Sequence, residues 1–172
     1  GYSEKFGTKE EIDLYDGEIA FTDHYVGLVL KKLAELGLED DTIVVITADH
    51  GEEFGEHGFK RHGYSLYQEA VRIPLVVKVP GAAPRRVAEV VGNVDVLPTV
   101  LDLVDLPPAE IVQGQSLAPL LLGTEGWSPR PVVLDEFDFG QGEELRGLIE
   151  VVDGRWGASL EINPDPKQPD YE

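Results

Sequence analysis

The sequence contains no cysteine. That excludes a disulfide framework, a thiolate nucleophile and a zinc–thiolate site in this chain, and it leaves the redox compartment open. It contains no methionine either, the residue with which an intact translated chain begins, so the 172 residues are expected to be a segment of a larger protein. No stretch has the form of a signal peptide, and no apolar run reaches the roughly 18 residues that a membrane span needs. Secreted, periplasmic and cytoplasmic locations therefore all stay open. Basic residues are scarce: 14 Lys+Arg stand against 33 Asp+Glu, a net charge of −19. Such a charge repels phosphate backbones and anionic lipid surfaces, which sets nucleic acids and membranes aside as partners. Hydrophobic residues nevertheless make up 42% of the chain, too many for a disordered acidic tail. The length suits one domain with a sizeable core rather than two.

The spacing of apolar residues predicts a long first helix. Thr8-Lys9-Glu10-Glu11 has the form of a capping box, with Thr8 as the cap. Ile12, Tyr15, Ile19, Val26, Val29, Leu33 and Leu36 then recur at helical spacing, and Gly37 supplies the stop. Gly17 and Gly27 interrupt the run, each costing roughly 1 kcal/mol relative to alanine. Residues 42–47 (TIVVIT) form a β-branched run without alternation, which suits a strand buried on both faces in the middle of a parallel sheet. A second such run, 74–79 (PLVVKV), ends at the turn signal Pro80-Gly81. Residues 94–104 read as a helix with Pro98 near its first turn, and 116–122 as two turns capped by Ser116. The last part, from Pro131 onward, reads as strands joined by turns at Gly140–Gly142 and Asp153-Gly154, with residues 163–166 as linker. Helix, buried strand, loop, buried strand and helix make an α/β pattern.

The polar stretch 49–65 between the two apolar runs is long enough to be functional. Three of the four histidines, His50, His57 and His62, fall inside it. Asp49 and His50 follow directly on the first run, at the end of a strand where α/β sheets bind their ligands. A carboxylate oxygen beside an imidazole nitrogen suits a divalent cation. A turn-capping aspartate beside a solvated histidine would look the same. Gly51 is expected to free the backbone so that the two side chains converge, and Gly55 and Gly58 to make turns. The histidine spacing matches no zinc motif, and the glycines match neither a dinucleotide fingerprint nor a phosphate loop. These residues by themselves indicate a metal or anion site on a loop.

Together the motifs resemble a known family. Thr47-Ala48-Asp49-His50-Gly51-Glu52-Glu53-Phe54-Gly55-Glu56-His57-Gly58 is similar to the T-x-D-H-G-E-x-x-G-E-H-G wording of the sulfatases, members of the alkaline-phosphatase superfamily. His62-Gly63-Tyr64-Ser65-Leu66-Tyr67-Gln68-Glu69 resembles their H-G-x-S-L-Y-x-E, and Arg72-Ile73-Pro74-Leu75 their R-I-P-L. Further stretches agree in the same order: Tyr15 to Ile19 with the helix before the metal strand, Asp95 to Leu101 with D-x-x-P-T-x-L, and Gly114 to Leu121 with G-x-S-L-x-P-L-L. The resemblance implies an α/β fold, part of an alkaline-phosphatase-like mixed or parallel sheet with flanking helices, plus a small C-terminal antiparallel β portion. It divides the chain into 1–125, from the catalytic domain, and 126–172, a connection and C-terminal subdomain strands.

Carried over residue by residue, the resemblance makes Asp49 and His50 ligands of one divalent metal, calcium foremost and manganese or magnesium as alternatives. His62 takes the position of a lysine or histidine near the leaving-group oxygen, where it would stabilise or protonate that oxygen. Lys60 and His57 become substrate contacts, His57 chiefly by ordering the loop, and Arg61 a further candidate for an anion. Arg72 is expected in a structural ion pair. The implied substrate is a small-molecule or saccharide sulfate ester. The family's nucleophile, a formylglycine made from the first residue of C/S-x-P-x-R, has no counterpart here: Ser128-Pro129-Arg130 has the wrong spacing. The resemblance places it, with the paired metal-binding aspartates, in an N-terminal half of the same protein, without which the segment is expected to be inactive. The alternatives are a phosphodiesterase or phosphonate monoester hydrolase of the same superfamily, and a non-catalytic acidic metal-binding module.

Overall fold

A computed structural model describes residues 5–138, apart from 8 and 64, together with strand residues 146–152 and 157–162. The chain divides into two compact units. The first comprises the residues up to Val44 with Val79–Gly81, and the second holds the remainder.

The first unit is dominated by α1 (Glu11–Glu35), an unbroken helix of 25 residues despite its two internal glycines. Gly17 is its one buried residue. The helix begins later than expected, with Glu10 as its cap, and Thr8 lies outside the described residues. The Glu10 amide donates to Asp13 Oδ2 at 3.3 Å, within a capping box that was expected two residues earlier, at Thr8. At the other end Gly37 adopts φ +69° and its amide donates to the Ala34 carbonyl at 3.0 Å. The Leu38 amide reaches back to Leu33, so the left-handed glycine ends the helix as its position implied. A 3₁₀ turn (Glu39–Asp41) follows, over which Thr42 Oγ1 donates to the Leu38 carbonyl at 2.7 Å. Most apolar residues of α1 stay in solvent; Ile19 is 53% and Val29 62% exposed.

β1 (Val44–Thr47), which lies in the second unit from Val45 on, pairs with β4 (Leu75–Lys78), so the two apolar runs are neighbours in one sheet. They are half-buried rather than buried on both faces, and Val76 is 56% exposed. The reason is geometric: among the described residues this sheet has two strands, and each keeps an open edge. The polar stretch between them holds a hairpin that its composition did not announce. There β2 (Glu53–Phe54) and β3 (Lys60–Arg61) pair antiparallel, Glu53 opposite Arg61 and Phe54 opposite Lys60. Gly55 and Gly58, at φ +111° and +86°, make the turn, as glycines in that region can. A single helical turn, α2 (Gln68–Val71), then leads into β4.

Beyond β4 a 3₁₀ turn (Asn93–Asp95) runs into α3 (Val96–Leu103), with Pro98 in its first turn. The helix α4 (Ala118–Leu122) starts two residues after Ser116, whose Oγ accepts from the Ala118 amide at 3.1 Å. The motifs around α3 and α4 form one interlock. Thr99 Oγ1 donates to the Asp95 carbonyl at 2.5 Å and accepts from the Leu117 amide at 2.8 Å. Gly114 lies so close to Val94 that a Cβ would sit 2.0 Å from its carbonyl oxygen. Ser116 also donates to Asp102. Asp95, fully buried, accepts from the Gly92 and Gln115 amides, both at 2.9 Å, and from Arg130.

The chain continues in a three-stranded antiparallel sheet: β5 (Val132–Asp138), β6 (Arg146–Val152) and β7 (Gly157–Ile162), in that order. The turns expected between these strands, and the linker 163–166, lie outside the described residues. No helix among the described residues is long and apolar enough to cross a membrane.

Candidate active site

The end of β1 is anchored before the site begins. Asn93 donates through Nδ2 to the Ala48 carbonyl at 3.0 Å, and its Oδ1 accepts from Thr47 Oγ1 at 3.1 Å. The next two residues, Asp49 and His50, are thereby set at the strand's end. Gly51 follows, and its amide donates to the Ala70 carbonyl of α2 at 2.6 Å. A Cβ on Gly51 would lie 1.9 Å from the Glu69 carbonyl oxygen, and its φ is not in the left-handed region. The expectation that Gly51 supplies a free turn is therefore corrected. Glycine is needed because the backbone of α2 comes too close for any side chain.

Asp49 Oδ1 accepts from the His50 amide at 3.0 Å and lies 3.6 Å from His50 Nε2. Hydrogen bonds from its own amide and from that of His50 hold the Asp49 carboxyl below the usual carboxylate range, and the His50 ring adds to the effect. The group is an exposed anion. His50 Nδ1 is 2.9 Å from the Gly51 carbonyl oxygen. A carbonyl only accepts, so in the neutral ring Nδ1 carries the proton and the lone pair sits on Nε2, the nitrogen nearest Asp49. Fixing the remote nitrogen on a carbonyl is how proteins prepare an imidazole for a metal. This pair therefore fits two positions of a divalent cation's coordination sphere. Among the described residues no group of three or more histidine and acidic side chains is arranged to hold a metal alone.

His62 lies on the His50 ring, with centroids 3.6 Å apart and planes at 23°. Its Nδ1 is 3.2 Å from Glu52 Oε2. Asp49, His50 and His62 are thus brought together, although twelve residues separate the two histidines. His57 is placed elsewhere on the loop. Its ring stacks on Tyr67 at 3.8 Å and 17°, and its Nε2 is 3.4 Å from Glu69 Oε2. That arrangement ties the hairpin turn to the approach to α2. Lys60 and Arg61 lie exposed on β3, Arg61 with an unusual φ of +74°. Arg72 is corrected: it has no ion pair among the described residues, and instead its amide ends α2 on the Gln68 carbonyl at 2.9 Å.

Reading the sequence for site residues missed Glu52, Glu69 and Asn93. A signal existed for Glu52: it lies two residues after His50, and extended chain puts alternate side chains on one side. For Asn93 there was none, because its partners are 45 and 46 residues away. Glu53, next to Glu52, is turned inward. It is 1% exposed, and its Oε2 accepts from Ser65 Oγ at 2.6 Å.

The sequence profile described as Sulfatase matches residues 1–106. A choline-sulfatase of Rhizobium meliloti is 29% identical over 147 residues, covering 83% of this chain and 27% of that protein. An arylsulfatase K of Canis lupus familiaris is 38% identical over 118 residues, covering 66% of this chain and 22% of that protein. Among solved structures, a 2-O GAG sulfatase superposes with a TM-score of 0.76 at 26% identity, covering 87% of this chain and 33% of the other. A phosphonate monoester hydrolase from Silicibacter pomeroyi gives 0.67 at 26% identity, covering 90% and 35%. The chain spans about a quarter of the length of the curated relatives it matches.

Proposed function

Because this chain belongs to the sulfatase family and shares its alkaline-phosphatase-like α/β fold, we propose that it supplies the metal-binding and leaving-group side of a sulfate ester hydrolase. The observation that carries this reading is the convergence of Asp49, His50 and His62 at the end of β1. Asp49 and His50 would hold one divalent cation, calcium before manganese or magnesium. When bound, such a cation supplies Lewis-acid polarisation of a sulfate oxygen. His62 stands beside that pair to stabilise or protonate the leaving-group oxygen as the S–O bond breaks. Lys60 and Arg61 offer positive charge to the anion from the neighbouring strand, and His57 keeps the hairpin turn in place. Local positive charge is needed for a sulfate ester to approach a chain of net charge −19.

The sequence carries no C/S-x-P-x-R motif. The nucleophile, in the family's manner a formylglycine, therefore comes from the part of a sulfatase that this chain does not span. The exposed apolar residues of α1, among them Phe21, Tyr25 and Leu28, are the surface for that part to cover. The substrate would be a small-molecule or saccharide sulfate ester. The chain alone is expected to leave 4-nitrophenyl sulfate intact, whereas a polypeptide joining it to a formylglycine-bearing region of the family turns it over. Turnover by the chain alone overturns this division of labour.

Metal affinity gives a second measurement. Two protein ligands leave most positions of a six- to eight-coordinate calcium to water. Calorimetric titration of the chain should show calcium binding weaker than about 10⁻⁵ M, lost in Asp49→Ala. Sub-micromolar binding would mean that ligands beyond Asp49 and His50 act in this chain.

The likeness to a phosphonate monoester hydrolase, which covers 90% of the chain, supports a second reading as an enzyme of that substrate class. Matched 4-nitrophenyl sulfate and phenylphosphonate esters separate the two, since kcat/KM will favour one of them.

A further inference from the structure

The D-H-G-E run holds more than two metal ligands. Its last residue, Glu52, has a side chain only 20% exposed, and its Oε2 lies 3.2 Å from His62 Nδ1. Its other oxygen, Oε1, is buried without a hydrogen-bond partner among the described residues. The visible work of this carboxylate is therefore on the His62 ring. We propose that Glu52 is the positioning residue of His62, holding its Nδ1–H so that Nε2 is the nitrogen presented to the leaving-group oxygen. This rests on the reading of His62 given above and adds a residue that reading does not contain.

Three observations carry it. A carboxylate accepts and does not donate, so its contact fixes the proton on Nδ1. A free imidazole ring on an exposed hairpin can turn over about χ2, which swaps Nδ1 with Cδ2 and Nε2 with Cε1, and His62 keeps 47% of its side chain in solvent. The stack on His50 fixes the plane of the ring, leaving the half-turn about χ2 that restores the same plane as the remaining ambiguity, and the Glu52 contact removes it. Chain order supports the same conclusion. The Gly51 amide is pinned to Ala70, so Glu52 leaves a fixed point of the backbone and reaches His62 across the hairpin base. In the proposed step the S–O bond breaks with its electron pair going to the leaving oxygen. For this the ring carries a proton on each nitrogen: Nε2–H gives that oxygen a hydrogen bond or its proton, and once the proton has passed the ring is neutral with Nδ1–H still on Glu52.

The test has two arms. In this chain, in mildly alkaline buffer where imidazole is neutral, long-range ¹H–¹⁵N correlation spectra report which nitrogen of His62 is protonated. The Nδ1–H form is expected in the native sequence and in Glu52→Gln, whose amide oxygen still accepts, and Nε2–H in Glu52→Leu. In a formylglycine-bearing polypeptide carrying this segment, Glu52→Leu is expected to lower kcat about 10²-fold with KM changed less than about threefold. Glu52→Gln recovers most of that loss, and Glu52→Leu combined with His62→Ala is no slower than His62→Ala alone. Multiplying losses in the double variant, or an unchanged His62 tautomer in Glu52→Leu, overturns the proposal. Native kcat in His62→Ala together with a shifted tautomer has a different meaning: it overturns the role given to His62 itself.

Discussion

His62→Ala, in a polypeptide that also carries the nucleophile, lowers kcat for an alkyl sulfate by about 10²- to 10⁴-fold, the usual cost of losing one positioned proton donor or charge-stabilising group. The expectation follows from where the ring stands. It is stacked on His50, the proposed metal ligand, and held through Nδ1 by Glu52. Only Nε2 remains to meet a substrate. An alkoxide leaving group carries full charge as the S–O bond breaks and needs that contact most. A nitrophenolate spreads its charge over the ring and needs it least. The deficit should therefore shrink steadily as the leaving alcohol becomes more acidic, so the plot of log kcat against leaving-group pKa is steeper for His62→Ala than for the native enzyme. Parallel plots would take His62 off the leaving group and leave it as a contact to the sulfate. Native kcat throughout would remove it from the reaction.

The sequence showed these parts of the molecule unevenly, for physical reasons. Strand pairing of 44–47 with 75–78 was legible because β-branched runs without alternation have few other uses. The stop at Gly37 was legible because a left-handed cap is almost a glycine monopoly. The placement of Asp49 and His50 at the end of β1 was legible because two polar residues directly after an apolar run are a local feature. What composition alone could not show was whatever depends on contacts distant in sequence. The hairpin of β2 and β3 is only two residues wide, too short to display a period. Gly51 was assigned a turn, when the reason for glycine there is a carbonyl of α2 eighteen residues later. The same holds for Asn93, which steadies the strand end from another part of the chain. Burial was overestimated for β1 and β4 because an apolar run reports what a strand can cover, and among the described residues the two strands pair only with each other.

Asp95 is the position where the fold itself should be most vulnerable. Its side chain is 2% exposed, and its two oxygens accept from the Gly92 amide, the Gln115 amide and the Arg130 guanidinium. These donors come from three separate stretches of chain, so one carboxylate joins the entry to α3, the segment before α4 and the lead into β5. Asp95→Ala leaves all three without their acceptor, one of them a guanidinium that is 29% exposed. Removing one partner of a buried ion pair costs about 3–5 kcal/mol, and the partial exposure of Arg130 puts the expected loss near the lower end, about 3 kcal/mol. Asp95→Asn keeps the shape and one acceptor but loses the charge, and should cost about half as much. The decisive variant is the double one. If the loss comes from an orphaned cation, Arg130→Met should recover part of it in the Asp95→Ala background, while in the native background it costs stability. Urea midpoints at constant m-value measure all four proteins. Strict additivity would place the cost in the two backbone amides instead, and an Asp95→Ala midpoint within about 0.5 kcal/mol of native would show that the interlock holds without its carboxylate.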